Sequence, residues 1–233
     1  MKKLLIPLSV ILLASCGGST DAETTDSTEN ENDSTANVEV EVQEAIIDIT
    51  LTKLDEVPSK CEVAGNVVDA YSWMDENGTN YFIRTITEID MAYPVTDGEE
   101  MDSQYLYAYH YALNQKGEMT LLKETTDFVK DCEFDIVLSH ELDALTLTDI
   151  DEDNVGEITF IYRTACTSDV SPSTQKLIML ENGDKYPLRG TTKVMDIGGE
   201  FEAGEEFSSA PDGFLTHAEE LWNKHIVEYD FEL

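Results

Sequence analysis

Gln104-Tyr105-Leu106-Tyr107-Ala108-Tyr109-His110-Tyr111-Ala112-Leu113 is the stretch that decides the fold. On an extended strand, successive side chains point to opposite faces. The alternation therefore puts Tyr105, Tyr107, Tyr109 and Tyr111 on one face and Leu106, Ala108, His110 and Ala112 on the other. A tyrosine face can stack on sugar rings. It can equally be a half-buried sheet face with hydroxyls reaching water. The four tyrosines are thus a candidate glycan face. Asn114-Gln115-Lys116-Gly117 has turn chemistry, and residues 119–128 return as the partner strand.

The same grammar extends in both directions. Residues 63–73 and 80–89 read as two strands joined by Asp75-Glu76-Asn77-Gly78, where Asn-Gly is a hairpin signal. Between the hairpins, residues 90–103 read as an acidic loop. Downstream, residues 135–138 and 145–148 read as two short strands and 158–163 as a central one. Residues 175–180 and 185–193 read as a third hairpin, and 198–213 as an exposed Gly- and Glu-rich segment. Near the end the period changes. Phe214, Ala218, Leu221, Trp222, His225 and Tyr229 follow three-and-four spacing. This predicts one amphipathic helix over 213–228, with Asp212 as its cap. The expected fold class is mainly β, antiparallel hairpins in one domain over 46–233 with a C-terminal helix.

One loop carries a chemical possibility. In Asp149-Ile150-Asp151-Glu152-Asp153-Asn154-Val155-Gly156-Glu157, acids stand at positions one, three and five and again at nine, with the Val155 carbonyl at seven. Calcium takes six to eight oxygens in a flexible shell, and such spacing wraps a chain around one centre. Asp149, Asp151, Asp153, Val155 and Glu157 are therefore candidate ligands. It is not an EF-hand, lacking an acid at twelve and a glycine at six. Its strand flanks make it resemble the calcium loops of integrin-type β-propellers. The alternative is a tight acidic turn whose Asp side chains bond their own backbone.

The chain ends define its setting. Lys2 and Lys3 followed by an apolar run to Ala14 read as an export signal over 1–15, too short to span a membrane. Leu13-Ala14-Ser15-Cys16 resembles the lipobox of bacterial lipoproteins, which implies cleavage before Cys16 and lipid on that cysteine. Residues 16–45 hold no Lys or Arg and read as an acidic, disordered tether. The expected place is the cell envelope, anchored by lipid, on the outer membrane. A formal charge of −35 argues against nucleic acid, whose binding needs Lys and Arg on phosphates. It makes divalent cations natural partners.

Three cysteines remain beyond Cys16, so one pair and one free thiol is the simplest count. Cys132 and Cys166 each lie beside a core strand and are the expected pair; the spacing does not fix it. Cys61 is left over.

Phe128-Val129-Lys130-Asp131-Cys132-Glu133-Phe134-Asp135, Tyr162-Arg163-Thr164-Ala165-Cys166-Thr167 and Lys185-Tyr186-Pro187-Leu188-Arg189-Gly190 resemble a family of bacterial envelope proteins labelled surface polysaccharide biosynthesis proteins. The resemblance runs from about Val67 through Leu221-Trp222. It carries both Cys132 and Cys166 and implies no particular reaction. The chain contains no phosphate-binding glycine loop, nucleophile elbow, Cys-x-x-Cys or His-Glu-x-x-His. Its first expectation is a non-enzymatic, lipid-anchored binding or scaffold module holding calcium. The alternatives are an enzyme on envelope glycans using acids around Asp135 and Asp169, or a purely structural lipoprotein.

Overall fold

The computed structural model describes residues 49–92 and 101–229, with the side chains of 91, 92 and 229 left aside. The chain divides into two units, Met1–Glu44 and Ala45–Leu233, and every described residue falls in the second. The export signal, Cys16 and the tether lie outside the described residues.

The described unit is mainly β, as predicted. Its strands are β1 (Thr52–Lys53), β2 (Asn66–Asp75), β3 (Gly78–Ile86), β4 (Asp90–Ala92), β5 (Met101–Leu113), β6 (Met119–Cys132) and β7 (Asp135–Thr148). After them come β8 (Glu157–Thr167), β9 (Thr174–Glu181), β10 (Asp184–Thr191), β11 (Lys193–Val194), β12 (Ile197–Gly198), β13 (Phe201–Ala203) and β14 (Val227–Tyr229). One sheet runs β1-β2-β3-β5, with β4 and β6 also paired to β5. A second runs β13-β10-β9-β8-β7, and a small third runs β12-β11-β14. All pairings are antiparallel except β11 with β14.

Alternation fixes which faces meet. Trp73, Phe82, Leu106, Ala108 and Val129 of the first sheet pack against Leu138, Ile158, Phe160, Ile178 and Leu180 of the second. The small side of the Tyr105–Tyr111 stretch is therefore the inner face. The outer face of the second sheet, with Ile161, Leu177, Met179 and Leu188, is covered by helix α1 (Phe214–Lys224) through Phe214, Ala218, Leu221 and Trp222. The outer face of the first sheet, with Ala70, Ile83, Tyr109 and Tyr111, is covered by Leu54, Val57, Cys61 and Val63.

Several boundaries differ from the sequence reading. The two short strands at 135–138 and 145–148 are one strand, β7, with a register irregularity between Glu141 and Thr146 that absorbs extra residues. The acidic loop contributes β4 and the start of β5. The segment 198–213 is not simply exposed: β13 pairs β10, and Phe207 in a short 3-10 turn, Glu205–Ser208, is buried against Tyr186. Asp212 does not cap α1. Gly213 does so at φ 97°, with no side-chain hydrogen bond. Its place against Ile150 leaves no room for a Cβ, which would come within 2.7 Å of Ile150 Cγ2.

Cys132 and Cys166 form the expected disulfide, joining the end of β6 in the first sheet to β8 in the second. Cys61 is free and buried, and burial pushes its thiol pKa up. At the C-terminal edge, Glu228 in β14 accepts hydrogen bonds from Ser173 N–H and Oγ and from Thr192 Oγ1. These ties hold the third sheet onto the start of β9 and the end of β10.

Candidate metal centre

The loop between β7 and β8 begins where Thr148 pairs with Glu157. Its backbone is set by its own side chains. Asn154 N–H donates to Asp149 Oδ2 at 3.2 Å, and Val155 N–H to Asp153 Oδ1 at 2.8 Å. Glu152 and Asn154 take left-handed conformations, φ 59° and 65°, which asparagine tolerates. The turn reading of the sequence thus describes part of what the Asp residues do.

Asp75 anchors the loop to the first hairpin. Buried at the end of β2, it accepts Trp73 Nε1–H at 3.1 Å and Gly156 N–H at 3.3 Å on Oδ2, and Asn77 N–H on Oδ1. Gly156 sits so close that a Cβ there would meet Trp73 Nε1 at 2.8 Å. Glu76 N–H adds a bond to the Asn154 carbonyl at 3.0 Å. The acidic loop is therefore held by both sheets.

The predicted ligands separate into two groups that share one member. Carboxylate oxygens of Asp149, Asp151 and Asp153 come within 4.8 Å of one another. The same holds for Asp151, Glu157 and Glu181. Val155 is tied in through its N–H. Glu181 was missed in the sequence, where it read as a turn residue. It ends β9, and the register Ile158↔Leu180 places it one step on, opposite Glu157. Asp184 pairs with Glu181 on the other side. Three acids therefore lie in one row across the sheet, and like charges directly opposite are destabilising.

Burial sharpens this. Glu157 is 0 % exposed and accepts Ile150 N–H on both carboxyl oxygens, at 3.2 and 3.1 Å. Burial first, then the nearby Asp151 and Asp149 carboxylates, push its pKa up to about 7 against the pull of the Ile150 N–H. Glu181 is also raised to about 7, by burial first and then by Asp151, Glu157, Asp153 and Asp184. Asp151 is raised too, by burial and by Asp153 and Asp149. Asp149 Oδ1 and Glu181 Oε1 are enclosed without a hydrogen-bond partner. Oxygen donors, repelling charges and unmet acceptors together fit a hard divalent cation.

The tyrosine face divides in two. Tyr105, Tyr107, Tyr109 and Tyr111 stack in sequence along β5, with ring centroids 6.5, 5.8 and 6.3 Å apart. Tyr109 and Tyr111 are buried under the 57–64 segment. Tyr109 Oη accepts Ala64 N–H and Tyr111 Oη–H donates to the Glu62 carbonyl. Tyr105 and Tyr107 remain half-exposed beside Phe128, which is 48 % exposed, and Lys130 Nζ lies 4.6 Å from the Phe128 ring centre. The open part of the face is thus two tyrosines and a phenylalanine.

The acids considered for catalysis lie elsewhere. Asp135 and Asp169 are both exposed. Hydrogen bonds from Ser171 and Thr167 hold the Asp169 pKa below its ordinary value, opposite to what a general acid needs at neutral pH. Arg163 binds Gln175, Glu141 and the His225 carbonyl on one face, and Lys176 pairs with Asp127 on the other. Compared with protein-family models, with curated proteins and with solved structures, the chain shows no match.

Proposed function

We propose that the protein is a non-enzymatic, lipid-anchored envelope protein: a β-rich binding or scaffold module whose acidic loop holds calcium and whose partner is a surface polysaccharide. The observation that carries the calcium reading is the placement of Asp151 in both carboxylate groups, beside the buried Glu157. The ion would stiffen the β7–β8 connection and relieve the repulsion across the sheet end. Glu157, Glu181 and the three loop aspartates would supply its oxygens.

Thermal melts with calcium or chelator test this. At a calcium concentration 100-fold above Kd, the gain is about 2.7 kcal/mol, or roughly 5–10 °C in a domain of this size. Asp151→Ala should lose that shift, and an equal shift in both proteins would refute the site. The pH dependence follows from the raised pKa values. Folded Glu157 and Glu181 hold their protons up to about 7, whereas unfolded carboxylates lose theirs near the ordinary value of 4.5. Between those limits the metal-free fold binds more protons than the unfolded chain. The stability these groups contribute is therefore full in acid and lost as pH rises through about 7. Calcium competes with those protons, so its shift should be larger at pH 8 than at pH 5.

The anchor rests on Lys2, Lys3, the apolar run and Leu13-Ala14-Ser15-Cys16. Cys16→Ser should move the protein out of the membrane fraction and abolish cleavage before residue 16; retention there would refute lipidation. The polysaccharide partner rests on the half-exposed Tyr105 and Tyr107 beside Phe128, a surface suited to stacking on sugar rings. Tyr105→Ala should weaken retention on immobilised envelope polysaccharide, and unchanged retention would count against this face.

A further inference from the structure

Four of the fourteen lysines and arginines, Lys123, Lys176, Lys185 and Arg189, gather along one seam between the two large sheets. Lys176 and Arg189 face each other directly across β9 and β10, and Lys185 stands opposite Leu180 in the same ladder. Ile178 and Leu180 point into the inter-sheet core, so alternation puts Lys176, Lys185 and Arg189 on that inner face. The other wall is β6. There Lys123, Thr125 and Asp127 share one face, in register with His110, Ala108 and Leu106. Lys176 crosses the gap to pair with Asp127. Farther along, β6 meets the β9–β10 turn, where a Cβ on Gly183 would lie 3.2 Å from the Leu122 carbonyl oxygen. These two contacts bracket the seam.

Its charge is unbalanced. Asp127 is committed to Lys176, and among the described residues Lys123, Lys185 and Arg189 have no acidic partner within ion-pair reach. Lys123 and Lys185 are half-buried. Burial first, then repulsion from Arg189, Lys123 and Lys176, holds the Lys185 ammonium pKa below its ordinary value. Thr125, between Lys123 and Asp127, is 1 % exposed, and its hydroxyl has no hydrogen-bond partner. A chain with 49 acids leaves three clustered cations and a buried donor unmet at one place. The half-buried Lys123 and Lys185 and the buried Thr125 hydroxyl carry a cost unless something occupies the seam, while Arg189 reaches solvent at its edge.

We propose that the seam binds a multiply charged oxyanion of the phosphate or phosphomonoester class, held by Lys123, Lys185, Arg189 and the Thr125 hydroxyl. Lysine supplies point charge, and the planar fork of Arg189 suits two oxygens of one anion. A dianion would cancel repulsion that a single carboxylate cancels only in part. The site uses none of the carboxylates of the β7–β8 loop, so it stands or falls apart from the calcium reading.

The test is isothermal titration of the purified protein with inorganic phosphate and with phenyl phosphate, at constant ionic strength and in chelator. Saturable binding is expected. The Lys123→Ala/Lys185→Ala double variant should lower affinity by at least about tenfold. Binding of inorganic phosphate alone identifies a free anion; binding of both identifies a phosphate carried on a larger molecule. No saturable binding of either, or equal affinity in the double variant, overturns the proposal. Lys185→Ala removes a repelled charge, so its ligand-free melting temperature should equal or exceed that of the wild type. A marked fall would show that the cation already has a partner, and would also overturn it.

Discussion

Replacing Asp69 with alanine is expected to destabilise the fold by about 3–5 kcal/mol. Arg84 is fully buried on the inner face of β3. Its Nε–H donates to Asp69 Oδ1 at 2.8 Å, a second guanidinium nitrogen pairs with Asp69 Oδ2, and Nη1–H reaches the Glu141 carbonyl across the sandwich at 3.1 Å. Among the described residues, only Asp69 balances the charge. Nearby His140 adds no second positive charge: burial first, then repulsion by Arg84, lowers its pKa to about 4, so it stays neutral beside the Thr85 carbonyl. Removing the carboxylate strands a cation in the core, whereas removing both charges does not. The Asp69→Leu/Arg84→Met pair should therefore cost much less than Asp69→Ala alone. Urea unfolding of the three proteins decides the matter. A single variant as mild as the double would mean that water already reaches the guanidinium.

Reducing the Cys132–Cys166 disulfide should cost about 4 kcal/mol, by the chain-entropy estimate for a loop of this length. The bond closes 34 residues and ties the end of β6 to β8, so it clamps one sheet to the other. In a domain of this size that loss corresponds to roughly 8–16 °C in melting temperature. Cys61 does not complicate the measurement, because its thiol is buried and pushed away from the reactive thiolate. Melts with and without reductant, repeated on Cys132→Ser/Cys166→Ser, should agree with each other. If neither moves the transition, the short β6–β7 connection already fixes the two sheets.

What could be read from the sequence was local. The alternation at Tyr105–Ala112 gave the strand and the division of its side chains between two faces, because successive side chains of a strand point to opposite sides; which face is inner came only from the packing. Asn77-Gly78 gave a hairpin through turn chemistry, which is equally local. The three-and-four spacing from Phe214 gave the helix, but not its end at Lys224, since His225 caps it and Tyr229 belongs to β14, nor its Gly213 entry, which depends on contact with Ile150. β7 was split because its irregularity at Glu141–Thr146 breaks the pattern, and only pairing with β8 shows one strand. The acidic loop was legible as Asp149, Asp151, Asp153 and Glu157. Glu181 was not, since its place depends on the β8–β9 register. Asp75 looked like a turn residue, yet it ties the loop to the hairpin. The burial of Tyr109 and Tyr111 was equally hidden, because the covering segment comes from well before them in the chain.

The parallel pairing of β14 with β11 has a consequence for the order of assembly. Val227 pairs with Lys193, and Glu228 reaches back to Ser173 and Thr192. Those contacts close a long stretch of chain that includes α1. Such long-range closure is entropically costly and slow. The hairpins of the first sheet can form as soon as their own residues are free, whereas the second sheet stays unlatched until the segment around 228 arrives. Until then, the edge at Lys193–Val194 stays open and unfinished.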